Sequence, residues 1–314
     1  MSEIGGYIEL DTFHLPMLHD EAKALNCGRN ALGYLIEARH ITRIRLPYFL
    51  CSSVYDVCKK YGVSIRGYHI GYDFLPKDTE VQDGEWFYLV NYYGQVTQEY
   101  IQNLHTKIPN LIVDQAQAYF EQALPHIDTL YTCRKFFGVP DGAFLYTDEE
   151  LARELPQDES FQRFHYILGR YERTASEFYR ESVKNNHEFS TQPIKTMSKL
   201  TMNMLHAIDY EFVNKKRTEN FALLHSLLQD MNELQVRCVD GAFMYPLMIP
   251  DAEEVKKKLL AEQIYIPVLW PNVLDECPEN WIEWILAKHI LPLPCDQRYG
   301  ESHMRKIVNR IKNL

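Results

Sequence analysis

Two residues of this sequence have types and surroundings suited to carbonyl–amine chemistry. Asp114 follows directly on the apolar run Leu111-Ile112-Val113. A carboxylate at the end of a buried strand is costly unless something positive meets it, and a protonated pyridine nitrogen is one such partner. An anionic Asp there would keep that nitrogen protonated and the ring an electron sink. Asp114 also reads as the cap of a following helix or turn. Lys135 lies 21 residues further on, in Thr132-Cys133-Arg134-Lys135-Phe136-Phe137-Gly138. Hemmed in by Cys133, Phe136 and Phe137, with a cationic neighbour in Arg134, its amine should titrate low and act as a nucleophile toward a carbonyl. The plainer alternative is a surface lysine in a loop that runs on through Val139-Pro140-Asp141-Gly142.

Two further segments fit beside this pair. In Asn26-Cys27-Gly28-Arg29-Asn30-Ala31-Leu32, Gly28 allows close backbone approach and the helix start offers free N–H groups for a phosphate. Arg29 could add charge; an ordinary helix cap looks much the same. In Leu46-Pro47-Tyr48-Phe49-Leu50-Cys51, Tyr48 or Phe49 could stack on a flat ring, though such aromatics also serve as core. Near the C-terminal end, Leu291-Pro292-Leu293-Pro294-Cys295-Asp296-Gln297-Arg298-Tyr299 offers Arg298 or Tyr299 to a substrate carboxylate. It reads equally as a turn with Arg298 in a structural ion pair.

These residues need strand ends to hold them. Short apolar runs at Ile41–Leu46, Val63–Tyr68, Trp86–Val90, Leu111–Val113 and Thr129–Cys133 alternate with helical segments at Leu32–Ala38, Cys51–Tyr61 and Gln98–Leu104. Gly142–Tyr146 reads as one more strand, antiparallel or at an edge. Such alternation predicts a mostly parallel sheet with helices on its faces, and ligands of such sheets sit at the carboxyl ends of the strands. Asp114 and Lys135 would then share one rim. From about Asp148 the pattern changes. Glu149–Glu181 and Met197–Met231 read as helices, the latter from Leu200, Met204, Ile208 and Phe212 and then Leu223, Leu224, Leu227 and Leu228. Gly241–Ile249 and Ile264–Val268 read as strands, Ala252–Glu262 and the stretch from Ser302 as helices. The expected organisation is a large α/β domain over residues 1–190 and a small α+β domain over 191–314.

Composition narrows the classes. The chain has 314 residues, 33 basic against 43 acidic, for a formal charge of −10, and no long basic run, which argues against nucleic-acid binding. Its seven cysteines (27, 51, 58, 133, 238, 277 and 295) form no CxxC pair, so neither a disulfide framework nor a structural zinc site is expected, and no metal. Met1-Ser2-Glu3-Ile4-Gly5-Gly6 lacks a basic-then-apolar leader, and no run approaches about 18 apolar residues, so a cytoplasmic location without membrane spans is expected.

The order of these features (helix-start phosphate site, ring-stacking loop, strand-end Asp, strand-end Lys) resembles fold-type-I enzymes that use pyridoxal 5'-phosphate (PLP), and in particular the DegT/DnrJ/StrS group of sugar aminotransferases. Asn26 to Leu32 resembles that group's Ser-Gly-Thr-x-Ala-Leu phosphate segment, Val90-Asn91-Tyr92-Tyr93-Gly94 its Val-His-x-Tyr-Gly turn, and Asp114-Gln115-Ala116-Gln117 its Asp-x-Ala-His/Gln motif. Lys135 falls where the Schiff-base lysine is expected, with a glycine-containing turn at Gly138 to Gly142 after it. The resemblance implies PLP as cofactor, Asp114 as pyridine partner, Gln117 beside the ring, Cys27, Gly28, Arg29 and Thr132 around the phosphate, and Asn91 as a substrate contact. It also implies an aspartate-aminotransferase-like fold, a homodimer with active sites at the interface, and transfer of an amino group from a donor such as glutamate to a keto sugar, nucleotide-linked, for polysaccharide or glycoside synthesis. The chain departs from the group in Cys27-Gly28-Arg29, in its short length, and in Lys195-Thr196-Met197-Ser198, which stands where the group has Asn-Tyr-Arg-Met. The partner-chain Asn and Arg are therefore missing. Two alternatives follow: a PLP-dependent sugar dehydratase, in which the lysine is usually replaced by His, and a non-enzymatic or regulatory protein that kept the fold.

Overall fold

Three segments in the first half are buried almost end to end: Trp86–Val90, Leu111–Asp114 and Asp128–Thr132. Strands buried on both faces must be covered on both sides, which is the situation of a parallel sheet wrapped by helices. The computed structural model describes residues 4–313 and has this architecture. Met1, Ser2 and Glu3, from the segment read as lacking a leader, lie outside the described residues, as does Leu314.

The elements of the large sheet are β1 (Lys23–Leu25), β2 (Arg43–Pro47), β3 (Ser64–Tyr68), β4 (Trp86–Val90), β5 (Leu111–Asp114), β6 (Asp128–Thr132) and β7 (Ala143–Tyr146). Their order is β1-β7-β6-β5-β4-β2-β3. The pairs β2–β3, β2–β4, β4–β5 and β5–β6 are parallel, whereas β7 runs antiparallel to both β6 and β1. Strand β7 is antiparallel, as expected, but interior; the edge is β1, too short to give a periodic signal. Helix α1 (Gly28–Ala38) buries Ala31, Leu32, Leu35 and Ile36 and packs on β6 and β7. Helices α2 (Ser52–Lys60) and α3 (Gln98–Lys107) follow β2 and β4.

The sequence reading of long helices over Glu149–Glu181 fails in its first half. Residues 149–164 hold a single 3-10 turn, and helices α4 (His165–Glu172) and α5 (Ala175–Glu188) begin only afterwards. The cause is local. Pro156 removes a helical donor, Asp158 is buried in ion pairs with Arg163 and Lys195, and Ser160 and Ser198 share a 2.7 Å hydrogen bond. Met197–Met231 contains two helices, α6 (Lys199–Leu205) and α7 (Tyr210–Leu228). Its core-facing stripe is Val213, Arg217, Phe221, Leu224 and Leu228, while Phe212 is exposed.

The remaining strands, β8 (Met244–Met248) and β9 (Ile290–Pro294), form an antiparallel ribbon, flanked by α8 (Ala252–Ala261), α9 (Pro271–Glu276), α10 (Ile282–His289) and α11 (Glu301–Lys312). A separate apolar cluster joins Tyr245, Leu247, Leu291 and Leu293 of the ribbon to Phe221, Leu224, Leu259, Met304 and Ile307. Residues Ile194, Met197 and Leu205 belong instead to the core of the large sheet. The strand expected over Ile264–Val268 does not form: the Ile264 N–H is taken by the Leu259 carbonyl at the end of α8, and Pro267 withholds a donor.

Candidate active site

Parallel pairing of β5 with β6 places Asp114 opposite Leu130, so the carboxyl ends of both strands reach the same rim. The chain leaves β6 through a tight turn in which the Phe136 and Phe137 N–H groups both donate to the Cys133 carbonyl, at 3.0 and 2.9 Å. Lys135 projects from this turn. Gly142 closes its base at a φ of 113°, where an added Cβ would lie 3.1 Å from Cys133 and 3.2 Å from Thr201. Asp141, fully buried, accepts from the Ser198 N–H and hydroxyl, both at 2.9 Å, and from the Thr201 hydroxyl, which fixes the start of α6 to the turn. From the other side Arg217 and Gln297 donate to the Phe136 carbonyl at 3.2 and 2.8 Å.

Asp114 and Lys135 line one cavity of about 500 Å³, a volume suited to a small-molecule ligand. Asp114 is buried and accepts hydrogen bonds from the Tyr88 hydroxyl and the Ala116 N–H, both at 2.8 Å. Burial pushes its carboxyl above the ordinary carboxylate range, against the pull of the Lys135 charge and of its two donors. Lys135 is itself exposed to the cavity, between the densely packed walls that line it. The loss of bulk solvation lowers its ammonium below the usual lysine range, Arg134 adds to this, and Asp114 and Cys51 oppose it. The Lys135 ammonium also lies 5.4 Å from the centre of the Phe243 ring.

Cys27, Gly28, Arg29, Gln117 and Thr132 line the same cavity. Cys27 caps α1 in an extended conformation without a side-chain hydrogen bond, so the first N–H groups of the helix are left for something else. A Cβ on Gly28 would meet nothing within 4 Å, so a ligand can approach the backbone there. The Gln117 side-chain oxygen accepts from the Tyr93 N–H at 2.8 Å and holds that residue at a φ of 52°.

Other expected residues are not brought together with these. Neither Tyr48 nor Phe49 faces the cavity. Tyr48 packs on His69 and Trp281, and Phe49 is core against Tyr92 and Trp270, its carbonyl accepting from the Tyr92 hydroxyl at 2.6 Å. The turn after β2 instead presents Leu50, Cys51, Ser52 and Ser53. Asn91 is buried in its own turn, donating to Gln115 and accepting from the Val96 N–H. Arg298 is paired with Asp296 at 2.7 Å on the wall of a neighbouring cavity of about 860 Å³, which shares Thr132, Arg134, Lys135 and Asn186 with the first. Tyr299 packs on His303.

Sequence reasoning missed Tyr88, Cys51, Asn186 and the stretch from Val268 to Asn272, all of which line the cavity. Ser52-Ser53 carried a usable signal, a strand followed by small polar residues at a helix start, the same pattern that marks Cys27-Gly28. Asn186, near the end of α5, carried none.

The sheet order and the match to solved structures give the chain an aspartate-aminotransferase-like α/β fold, fold type I. No family model matches the chain, and no curated protein matches its sequence. Solved structures do match. One is a DegT/DnrJ/EryC1/StrS aminotransferase from Brucella abortus, with a TM-score of 0.63 and 14% identity over 93% of this chain and 85% of that one. A second is DesV from S. venezuelae, in complex with a ketimine intermediate, with a TM-score of 0.65 and 13% identity over 93% and 84% of the two chains. A third is NtdA from Bacillus subtilis with bound cofactor PMP, with a TM-score of 0.67 and 13% identity over 93% and 72%. At such identities the likeness is one of fold.

Proposed function

We propose that this chain is a PLP-dependent aminotransferase that moves an amino group from an amino acid such as glutamate to a keto sugar, nucleotide-linked, in polysaccharide or glycoside synthesis. The observation that carries the reading is the pair Asp114 and Lys135, brought from neighbouring strand ends to one cavity that also holds the uncapped start of α1. The neighbours by fold support it, among them a DegT/DnrJ/EryC1/StrS aminotransferase and complexes with PMP and with a ketimine intermediate.

The residues present fit the cofactor. Cys27, Gly28, Arg29 and Thr132 would hold its phosphate, Asp114 its ring nitrogen and Lys135 its aldehyde carbon, with Gln117 beside the ring. When bound, PLP supplies an aldehyde that condenses with amines and a ring that accepts the electron pair released at the substrate carbon. Asp114, held by Tyr88 and Ala116, offers its carboxyl group at a fixed position. The lowered Lys135 ammonium gives up its proton more readily than an ordinary lysine, which favours the amine as a nucleophile and, when free, as a base and then an acid for the proton at the substrate carbon. The cavity shared with Arg298 leaves room beyond Lys135 for an acceptor.

We place the protein in the cytoplasm as a homodimer, with a large N-terminal and a small C-terminal domain. The proposed domains are 1–190 and 191–314; the packing of Met197 and Leu205 into the large core supports a division somewhat later, toward the start of α7. Borohydride reduction followed by peptide mapping tests the reading: the expected product carries reduced cofactor on Lys135, and a label elsewhere or no label refutes it. Conversion of the bound cofactor by glutamate to its amine form separates an aminotransferase from a protein that only kept the fold.

A further inference from the structure

At the α1 end of the cavity two arginines meet on one asparagine. Arg29 donates to the Asn186 carbonyl at 2.7 Å and to its side-chain oxygen at 3.3 Å, and Arg134 donates to that same oxygen at 2.8 Å. Among the described residues neither guanidinium has a carboxylate partner; the nearby Asp158 is already taken by Arg163 and Lys195. Arg134 lies over the Phe189 ring, 4.6 Å from its centre, with Arg163 over the same ring at 5.1 Å, and the Arg134 Nε is buried without a hydrogen-bond partner. Arg29, Arg134 and Asn186 all line the cavity beside Gly28. A neutral amide can hold two cations side by side, but it leaves both charges uncompensated.

We propose that Arg134 is a phosphate-binding residue and that Asn186 is the positioning residue that holds it beside Arg29, so that the anion site is completed within a single chain. The assignment rests on the reading of PLP as cofactor. A phosphate monoester carries close to two negative charges at neutral pH, which matches the two guanidinium groups. The α1 N–H groups and the open space at Gly28 supply the other wall of the site.

The test compares PLP with pyridoxal, which has the same aldehyde and ring but no phosphate, by equilibrium dialysis of the full chain. The wild type is expected to prefer PLP by roughly a hundredfold or more, and Arg134→Gln to lose roughly ten- to hundredfold in PLP affinity, the effect of one charged hydrogen-bonding partner, with a much smaller loss for pyridoxal, which feels only the change at the Lys135 amine. Asn186→Ala should weaken PLP alone by several-fold. Asn186→Asp is the sharper variant: Asn186 is exposed, so the fold tolerates it, and a carboxylate there pairs with both arginines. It should melt higher than wild type without ligand yet bind PLP worse than Asn186→Ala. Equal losses for both ligands in Arg134→Gln, or undiminished PLP binding in Asn186→Asp, overturn the assignment. A wild type that takes both ligands equally overturns it while leaving the cofactor reading; one that takes neither overturns both.

Discussion

The two ends of the main cavity handle charge differently. At the rim of β5 and β6, Asp114 faces Lys135 across the cavity, and Tyr88 and Ala116 satisfy the carboxylate. At the start of α1, Arg29 and Arg134 share a neutral asparagine and no acid. The first end is balanced before any ligand arrives, so its groups serve by their reactivity. The second end is not, so a ligand must bring the missing anion. A small molecule with an electrophilic carbon and a basic ring nitrogen at one end and a dianion at the other satisfies both.

Substitutions at the rim should act on chemistry and those at the α1 end on retention. The largest effect belongs to Lys135→Ala, which should abolish covalent attachment and visible colour and reduce turnover by roughly a thousandfold or more, as expected when a nucleophile is removed. Retention of colour after dialysis would erase the distinction between the two ends. Next is Asp114→Asn, expected to lower kcat by roughly a hundredfold through loss of the ring-nitrogen partner. It also carries a pH signature in the cofactor-free protein. Asp114 favours the protonated lysine and Arg134 disfavours it. Asp114→Asn should therefore shift the midpoint for amine labelling of Lys135 to lower pH, and Arg134→Gln should shift it to higher pH; shifts in the same direction would contradict the charge balance described above. Tyr88→Phe removes one of the two donors to Asp114 and should push that carboxyl's pKa further up with roughly tenfold slower turnover, read from pH–rate profiles. Smallest is Phe49→Leu, a change confined to the core, expected to cost about 1 kcal/mol in denaturant melts and to leave PLP affinity unchanged. A selective loss of affinity would return Phe49 to the ring.

The rim was legible in the sequence because it is built from strand ends. A run such as Leu111-Ile112-Val113 followed at once by Asp gives the strand, its burial and its terminal carboxylate together. The α1 end was only half legible. Gly28 and Arg29 stand at a visible helix start, whereas Asn186 arrives through tertiary packing of an α5 helix whose only buried residue is Asn185. The aromatic pair at 48 and 49 lies off the cavity because a strand-to-helix turn alternates sides quickly: Phe49 points into the core, half-buried Tyr48 packs on His69 and Trp281, and Cys51 reaches the cavity. Strand β9 was hidden by Pro292 and Pro294. It forms because its only partner is β8, where Pro246 sits opposite Pro292, and a two-stranded ribbon has outer edges that need no donors.

Arg217 has a mechanical consequence. Its guanidinium reaches the Ala242 and Phe243 carbonyls and the Gln297 side chain on one side, and the Phe136 carbonyl on the other. The C-terminal ribbon is therefore latched to the backbone one residue beyond Lys135. Seating of that ribbon and aim of the reactive amine are a single event, and whatever loosens one slackens the other.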